Sequence, residues 1–174
     1  LNGMGPIVSS GDGFLAGTYT LSENGGPAGY TSGTWVCDGG AQLDENTINL
    51  DEDQDATCTI TNDDIAPSLM VLKNIVNDNG GTVNDPNAFF LMIDGFPALH
   101  GVAQSVDFGD HKASEFGRTD YLEGTWSGDC NVDGTITLAL GTTATCTITN
   151  DDLEPKLTLV KEVINNDGGV AISV

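Results

Sequence analysis

Basic side chains are scarce in this chain: five Lys+Arg stand against 26 Asp+Glu in 174 residues, a formal net charge of -21. Nucleic acids and anionic membranes are held through cationic side chains that replace counterions at phosphates, so neither is an expected partner. Zinc chemistry is missing too, because His100 and His111 stand apart with no HExxH pair and no Cys/His cluster. The glycine pairs follow Asn or Asp and never lead into GK[ST], which removes a phosphate loop. No transmembrane run or export signal is visible, and insertion of this segment into a membrane is not expected. Aromatics make up 6% of the chain, and the acids cluster on turns without the aromatic-lined cleft of a glycosidase. No conventional active site is left, and the expectation is a protein that is not an enzyme.

What the chain does contain is Asp, Asn, Thr and Gly, a composition of strands and turns rather than helices. Its 39% hydrophobic content supplies cores despite the charge. Cys37 with Cys58 and Cys130 with Cys146 bracket strand-like segments without CxxC spacing. Two disulfides and an extracellular or cell-surface setting are therefore expected over a metal site. Leu1 in place of Met, and an end in mid-pattern at Val174, are read as a mature fragment of a longer protein.

Repetition organises the rest. ATCTITNDD at Ala56–Asp64 returns at Ala144–Asp152, and Lys73 returns as Lys161, a period of 88 residues. That is a domain rather than a solenoid unit. On this period residues 1–64 are the later part of a first repeat, 65–152 a complete repeat, and 153–174 the first strand of a following one. Alternating β-rich runs place strands near 69–76, 88–93, 103–108, 111–115, 121–126, 135–140 and 144–149, with no helix of useful length. The expected fold is all-β, with tandem Ig-like or prealbumin-like sandwiches of about 88 residues in an elongated array.

Period-two reading sets polar residues on apolar faces. Lys73 lines up with Leu69 and Val71, Lys161 with Leu157 and Leu159, Glu23 with Tyr19 and Leu21, and Asn62 and Asn150 with the Cys and Ile of each CTITN. A desolvated lysine tends toward its neutral amine and a desolvated glutamate toward its acid. Brought together with an asparagine they form a crosslinking set, in which the amine attacks the amide and ammonia leaves. The trio in the complete repeat is Lys73, Glu115 and Asn150; between copies it is Lys161 with Glu23 and Asn62. A buried Lys-Glu ion pair bonded to Asn is the competing reading.

On LTLVK, GTYTLSENGGPAGY and the last strand ending in TN, the sequence resembles the prealbumin-like (CnaB-type) repeats of bacterial surface adhesins and pilins. That resemblance implies Lys-Asn isopeptides and a structural role. GDHKASEFG puts His111 where GTYTLSE has Tyr19, and disulfides are not part of the usual pattern.

Acid recurs at the expected domain ends. Asn77, Asp78 and Asn79 should meet Asp151 and Asp152 if the first and last strands finish at one pole. Asp63 with Asp64, and Asn165 with Asn166 and Asp167, offer the same chemistry at the other junctions. Calcium suits such oxygen sets, against the alternative of solvated acidic turns. Together these readings give an extracellular fibre or stalk that self-associates, with strand donation between copies. The alternative is a non-polymerising adhesin stalk whose binding head lies elsewhere.

Overall fold

A computed structural model of the chain describes residues 7–11 and 13–172; residues 1–6, 12, 173 and 174, which belong to the expected first and third segments, lie outside the described residues. The fold is all-β, as expected. Among the described residues the helical structure is a single 3-10 turn at Pro86–Ala88, where the Asp85 carboxylate accepts from the Asn87 N–H at 2.9 Å. No helix among the described residues is long and apolar enough to cross a membrane.

Proximity divides the chain into two compact units. The first is Leu1–Leu69 with Ala103–Asp110 and Thr137–Ala144; the second is Met70–Val102 with His111–Ile136 and Thr145–Val174.

In the first unit, β1 (Gly17–Thr20), β3 (Ala41–Asp44) and β4 (Thr47–Leu50) form an antiparallel sheet of order β1-β4-β3. Strand β2 (Tyr30–Asp38) pairs with β5 (Thr57–Asp64) as a separate ribbon, with Cys37 opposite Cys58. Apolar burial is thin here. Among the described residues from 7 to 64, only Ile48 is buried.

From residue 68 onward come β6 (Ser68–Val76), β7 (Phe90–Ile93), β8 (Phe96–Pro97) and β9 (Ala103–Ser105). The chain continues through β10 (Gly109–Phe116), β11 (Tyr121–Glu123), β12 (Ser127–Gly128), β13 (Thr135–Leu138) and β14 (Thr143–Asp152). One sheet has the order β13-β10-β7-β8 and the other β11-β14-β6-β9, with β12 also on β14. Alternation turns Leu69 and Val71 of β6, Leu91 and Ile93 of β7, Ala113 of β10 and Ile148 of β14 inward, each no more than 3% exposed. Ser68 meets Thr143 at one end while Asp78 meets Asp152 at the other, so β6 and β14 run in the same direction.

The strands differ from expectation for local reasons. The 88–93 strand starts only at Phe90 because Pro86, whose fixed φ suits a first helical position, opens the 3-10 turn. The 121–126 strand divides in two around Gly124, where an added Cβ would strike the Thr149 carbonyl, so the backbone crosses too close for any side chain. The first copy shows the same feature as a register shift between Ser32 and Trp35 in β2.

Candidate functional site

Two sites grow out of the neighbouring strands β6 and β14. The first lies between the sheets of the second unit. Lys73 on β6 is 2% exposed and Asn150 on β14 is fully buried, because each continues an inward-facing apolar row. Glu115 comes from β10 in the facing sheet. The Lys73 Nζ donates to Glu115 Oε2 at 2.6 Å, and Asn150 Nδ2 donates to Glu115 Oε1 at 2.5 Å. One carboxylate thus bridges an amine and an amide nitrogen, with the Lys73 and Glu115 side chains wholly shielded.

Burial is the largest influence on Lys73, and it pulls the ammonium below its usual range toward the neutral amine; the bond and charge of Glu115 oppose it. The Phe89 ring lies 4.2 Å from Nζ and stacks edge-on against Tyr121 at 5.3 Å. His100 Nδ1 accepts from the Lys73 backbone N–H at 2.9 Å and pins β6 at this point. Glu123, paired across the strands with Asn150, is raised by desolvation and then by the Glu115 charge, so it tends to its protonated form. Asn150 Oδ1 is buried without a hydrogen-bond partner. Such a group costs about 1–3 kcal/mol and points to a functional constraint.

The chemistry available is acyl transfer within the protein. It combines an amine whose charged form burial disfavours, a carboxamide carbon and a carboxylate placed to carry a proton from one nitrogen to the other. Sequence reasoning missed Phe89, His100, Glu123 and Tyr121. Of these only Tyr121 left a signal, since Tyr30 precedes the first GTW at the same spacing.

The first copy holds the same pair without the amine. Glu23 Oε1 accepts from Asn62 Nδ2 at 2.8 Å, and Asn62 Oδ1 is again buried and unpartnered. Lys161 lies on an exposed segment assigned to no strand.

The second site is at the far end of β6 and β14. The Asp152 carboxylate accepts the N–H groups of Asp78 (2.9 Å), Asn79 (3.0 Å) and Gly81 (2.5 Å), and so caps the turn NDNGG. A Cβ on Gly81 would come within 2.8 Å of both Asn77 Oδ1 and Asp152 Cβ, which is why the turn needs glycine there. Asn77 is equally engaged, donating to the Val83 carbonyl and accepting from the Tyr121 hydroxyl. Desolvation works against ionising Asp152, yet the three N–H donors outweigh it and hold the carboxyl below its usual range. Its neighbour Asp151 is raised by desolvation, then by the charges of Asp78 and Asp152.

Carboxylate oxygens of Asp78, Asp151 and Asp152 lie within 4.8 Å of one another, so the residues expected at this pole do come together. Asn79 also approaches, donating through its side chain to the Asp78 carboxylate and the Asp152 carbonyl. Asp63 and Asp64 are exposed at the end of β5, opposite Thr31 and Tyr30. Asn165, Asn166 and Asp167 sit in an exposed turn. Neither group joins a three-acid cluster among the described residues. The cysteines pair as expected, Cys37 with Cys58 and Cys130 with Cys146.

Comparison with known families gives a model described as prealbumin-like fold domain, which matches residues 2–60 and 64–148. No curated protein and no solved structure matches the chain.

Proposed function

The chain belongs to the prealbumin-like fold domain family, and on that premise we propose that it is an extracellular structural protein, a stiff fibre or surface stalk of tandem sandwiches whose complete repeat is locked by an amide bond between Lys73 and Asn150. The observation that carries this reading is the Glu115 carboxylate, bonded at once to the Lys73 amine and the Asn150 amide nitrogen, with the Lys73 and Glu115 side chains shielded from solvent. The neutral amine attacks Asn150 Cγ. Glu115 takes the proton released at Nζ and hands it to Nδ2; the Cγ–Nδ2 bond breaks, ammonia leaves, and the Nζ–Cγ amide remains. Burial assists by disfavouring the ammonium form of Lys73.

A bond between β6 and β14 suits a load-bearing domain, since it ties the first strand to the last and pulling on either end strains a covalent link. The two disulfides favour an oxidising, extracellular location. Calcium at Asp78, Asp151 and Asp152 is the further part of the proposal, supported by the convergence of their carboxylate oxygens within 4.8 Å of one another.

Intact mass of the reduced protein tests the crosslink. The expected mass is short of the sequence mass by one ammonia per bond, and Glu115→Gln, which cannot shuttle the proton, should restore the full value. A wild-type chain at its full sequence mass removes the crosslink.

A further inference from the structure

The heptapeptide CTITNDD is written twice, and the two copies are not equally covered. On β14, Cys146, Ile148 and Asn150 are each 0% exposed. On β5 the identical residues Cys58, Ile60 and Asn62 are only half-buried. Sequence cannot explain a difference between identical segments; the neighbours can. Strand β14 is flanked by β11 and β6, whereas β5 pairs with β2 alone and its other edge has no partner among the described residues. The same ribbon borders an open cleft of about 560 Å³ lined by Leu21, Glu23, Trp35 and Ile60. Glu23 and Asn62 are already bonded to each other, and the Asn62 carbonyl oxygen is buried without a donor. Yet residues 1–64 contain no lysine.

The matching strand is present elsewhere in the chain. Leu157, Leu159 and Lys161 repeat the spacing of Leu69, Val71 and Lys73, but here Leu157 and Leu159 are 86% exposed and the segment has no strand partner among the described residues. The turn that follows already has the shape of its counterpart. Asn165 Nδ2 donates to the Ala171 carbonyl at 2.7 Å as Asn77 Nδ2 does to Val83 at 2.9 Å. An added Cβ on Gly169 would lie 2.9 Å from Asn165 Oδ1, as one on Gly81 would lie 2.8 Å from Asn77 Oδ1. What this turn lacks is an acidic cap, and Asp64 ends β5 where Asp152 ends β14.

We infer that residues 157–163 of one copy of this chain add to the open edge of β5 in a second copy, and that Lys161 there forms an amide bond with Asn62, with Glu23 as the proton carrier. The occupant is a second copy because the segment is a near-repeat of the strand that fills this place in the complete repeat, and because its cation meets the waiting carboxylate of Glu23. Lys161 Nζ bonds to Asn62 Cγ, the Cγ–Nδ2 bond breaks, and Nδ2 departs as ammonia after Glu23 passes it the proton taken from Nζ. Each chain then donates one strand and accepts one, a head-to-tail contact that propagates instead of closing. The inference rests on the crosslink chemistry proposed above but concerns a different lysine, so the two fail separately.

The test is the purified 174-residue chain, concentrated, then reduced and boiled in SDS. A ladder is expected, with each added copy bringing the loss of one further ammonia, and a branched peptide joining Lys161 to Asn62 in the dimer band. Lys161→Arg, on the exposed segment where folding is not at stake, should collapse the ladder to monomer, while Lys73→Arg should leave it. A chain that stays monomeric overturns the inference; so does a ladder that survives Lys161→Arg, or a Lys161–Asn62 peptide found only in the monomer band. Loss of ammonia within the monomer from Lys73 and Asn150 is read in the same spectrum and bears only on the intradomain bond.

Discussion

Replacing Lys73 separates the covalent contribution from the charge contribution. A Lys73–Asn150 bond closes a loop of about 77 residues, and loop-closure entropy then gives about 4.5 kcal/mol of stabilisation through the unfolded state. Lys73→Met removes this bond and also leaves Glu115, whose side chain is fully shielded, as an unpaired buried carboxylate, a loss of about 3–5 kcal/mol. Together these approach the whole stability of an ordinary domain, about 5–15 kcal/mol, so the Met variant should be marginally folded. Lys73→Arg keeps the positive charge but has no amine able to deprotonate and attack. It should lose the covalent part, about 4.5 kcal/mol, with about 1–3 kcal/mol more for the larger guanidinium. At about 2–4 °C per kcal/mol for a chain of this size, the Arg variant should melt at least about 10 °C below wild type. Calorimetry with the disulfides left intact reads both. An Arg variant melting within a few degrees of wild type would contradict the crosslink and leave the buried ion pair as the full explanation of the trio.

Ile148→Ala, in a fully buried position, should cost about 2–5 kcal/mol in denaturant titration, whereas Ile60→Ala, at the same place in the same heptapeptide but half-covered, should cost clearly less in the monomer; equal costs would refute the burial difference. The folded Asp152 carboxyl is held below its unfolded value, so its contribution is present above about pH 4 and disappears as the pH falls through the lower folded value. Asp152→Asn should flatten that acid limb of the stability profile, and an unchanged profile would remove the capping role. If calcium binds at Asp78, Asp151 and Asp152, the melting temperature should rise with calcium and return with EGTA, and Asp151→Asn should abolish the difference. Indifference of the wild type to EGTA would eliminate the ion.

Much of this was legible because burial periodicity and repetition are local properties of the chain. Strict alternation put Lys73 on the face of Leu69 and Val71, and the doubled CTITNDD put Asn150 on the face of Ile148; both faces are buried in the structure. The fold class followed from the same alternation. The surroundings of the trio were not legible. His100 reaches Lys73 across 27 residues of chain and Phe89 sits under the amine from the cap of the 3-10 turn, just before β7 begins. Those contacts depend on how the strands are ordered in the sheets, which no residue pattern encodes by itself. Asp152 makes the same point from the other side. Its repulsion with Asp151 suggested a metal, yet three backbone N–H groups already answer much of its charge, and their convergence depends on a turn held by Asn77 and Tyr121.

Peptide mapping of the reduced, fully digested chain by tandem mass spectrometry addresses the central claim most directly. A branched peptide is expected, in which the Lys73 side chain is amide-linked to residue 150 with one ammonia lost, and it should be absent from Glu115→Gln. Recovery of Lys73 and Asn150 in separate, unmodified peptides from folded wild-type protein would contradict it.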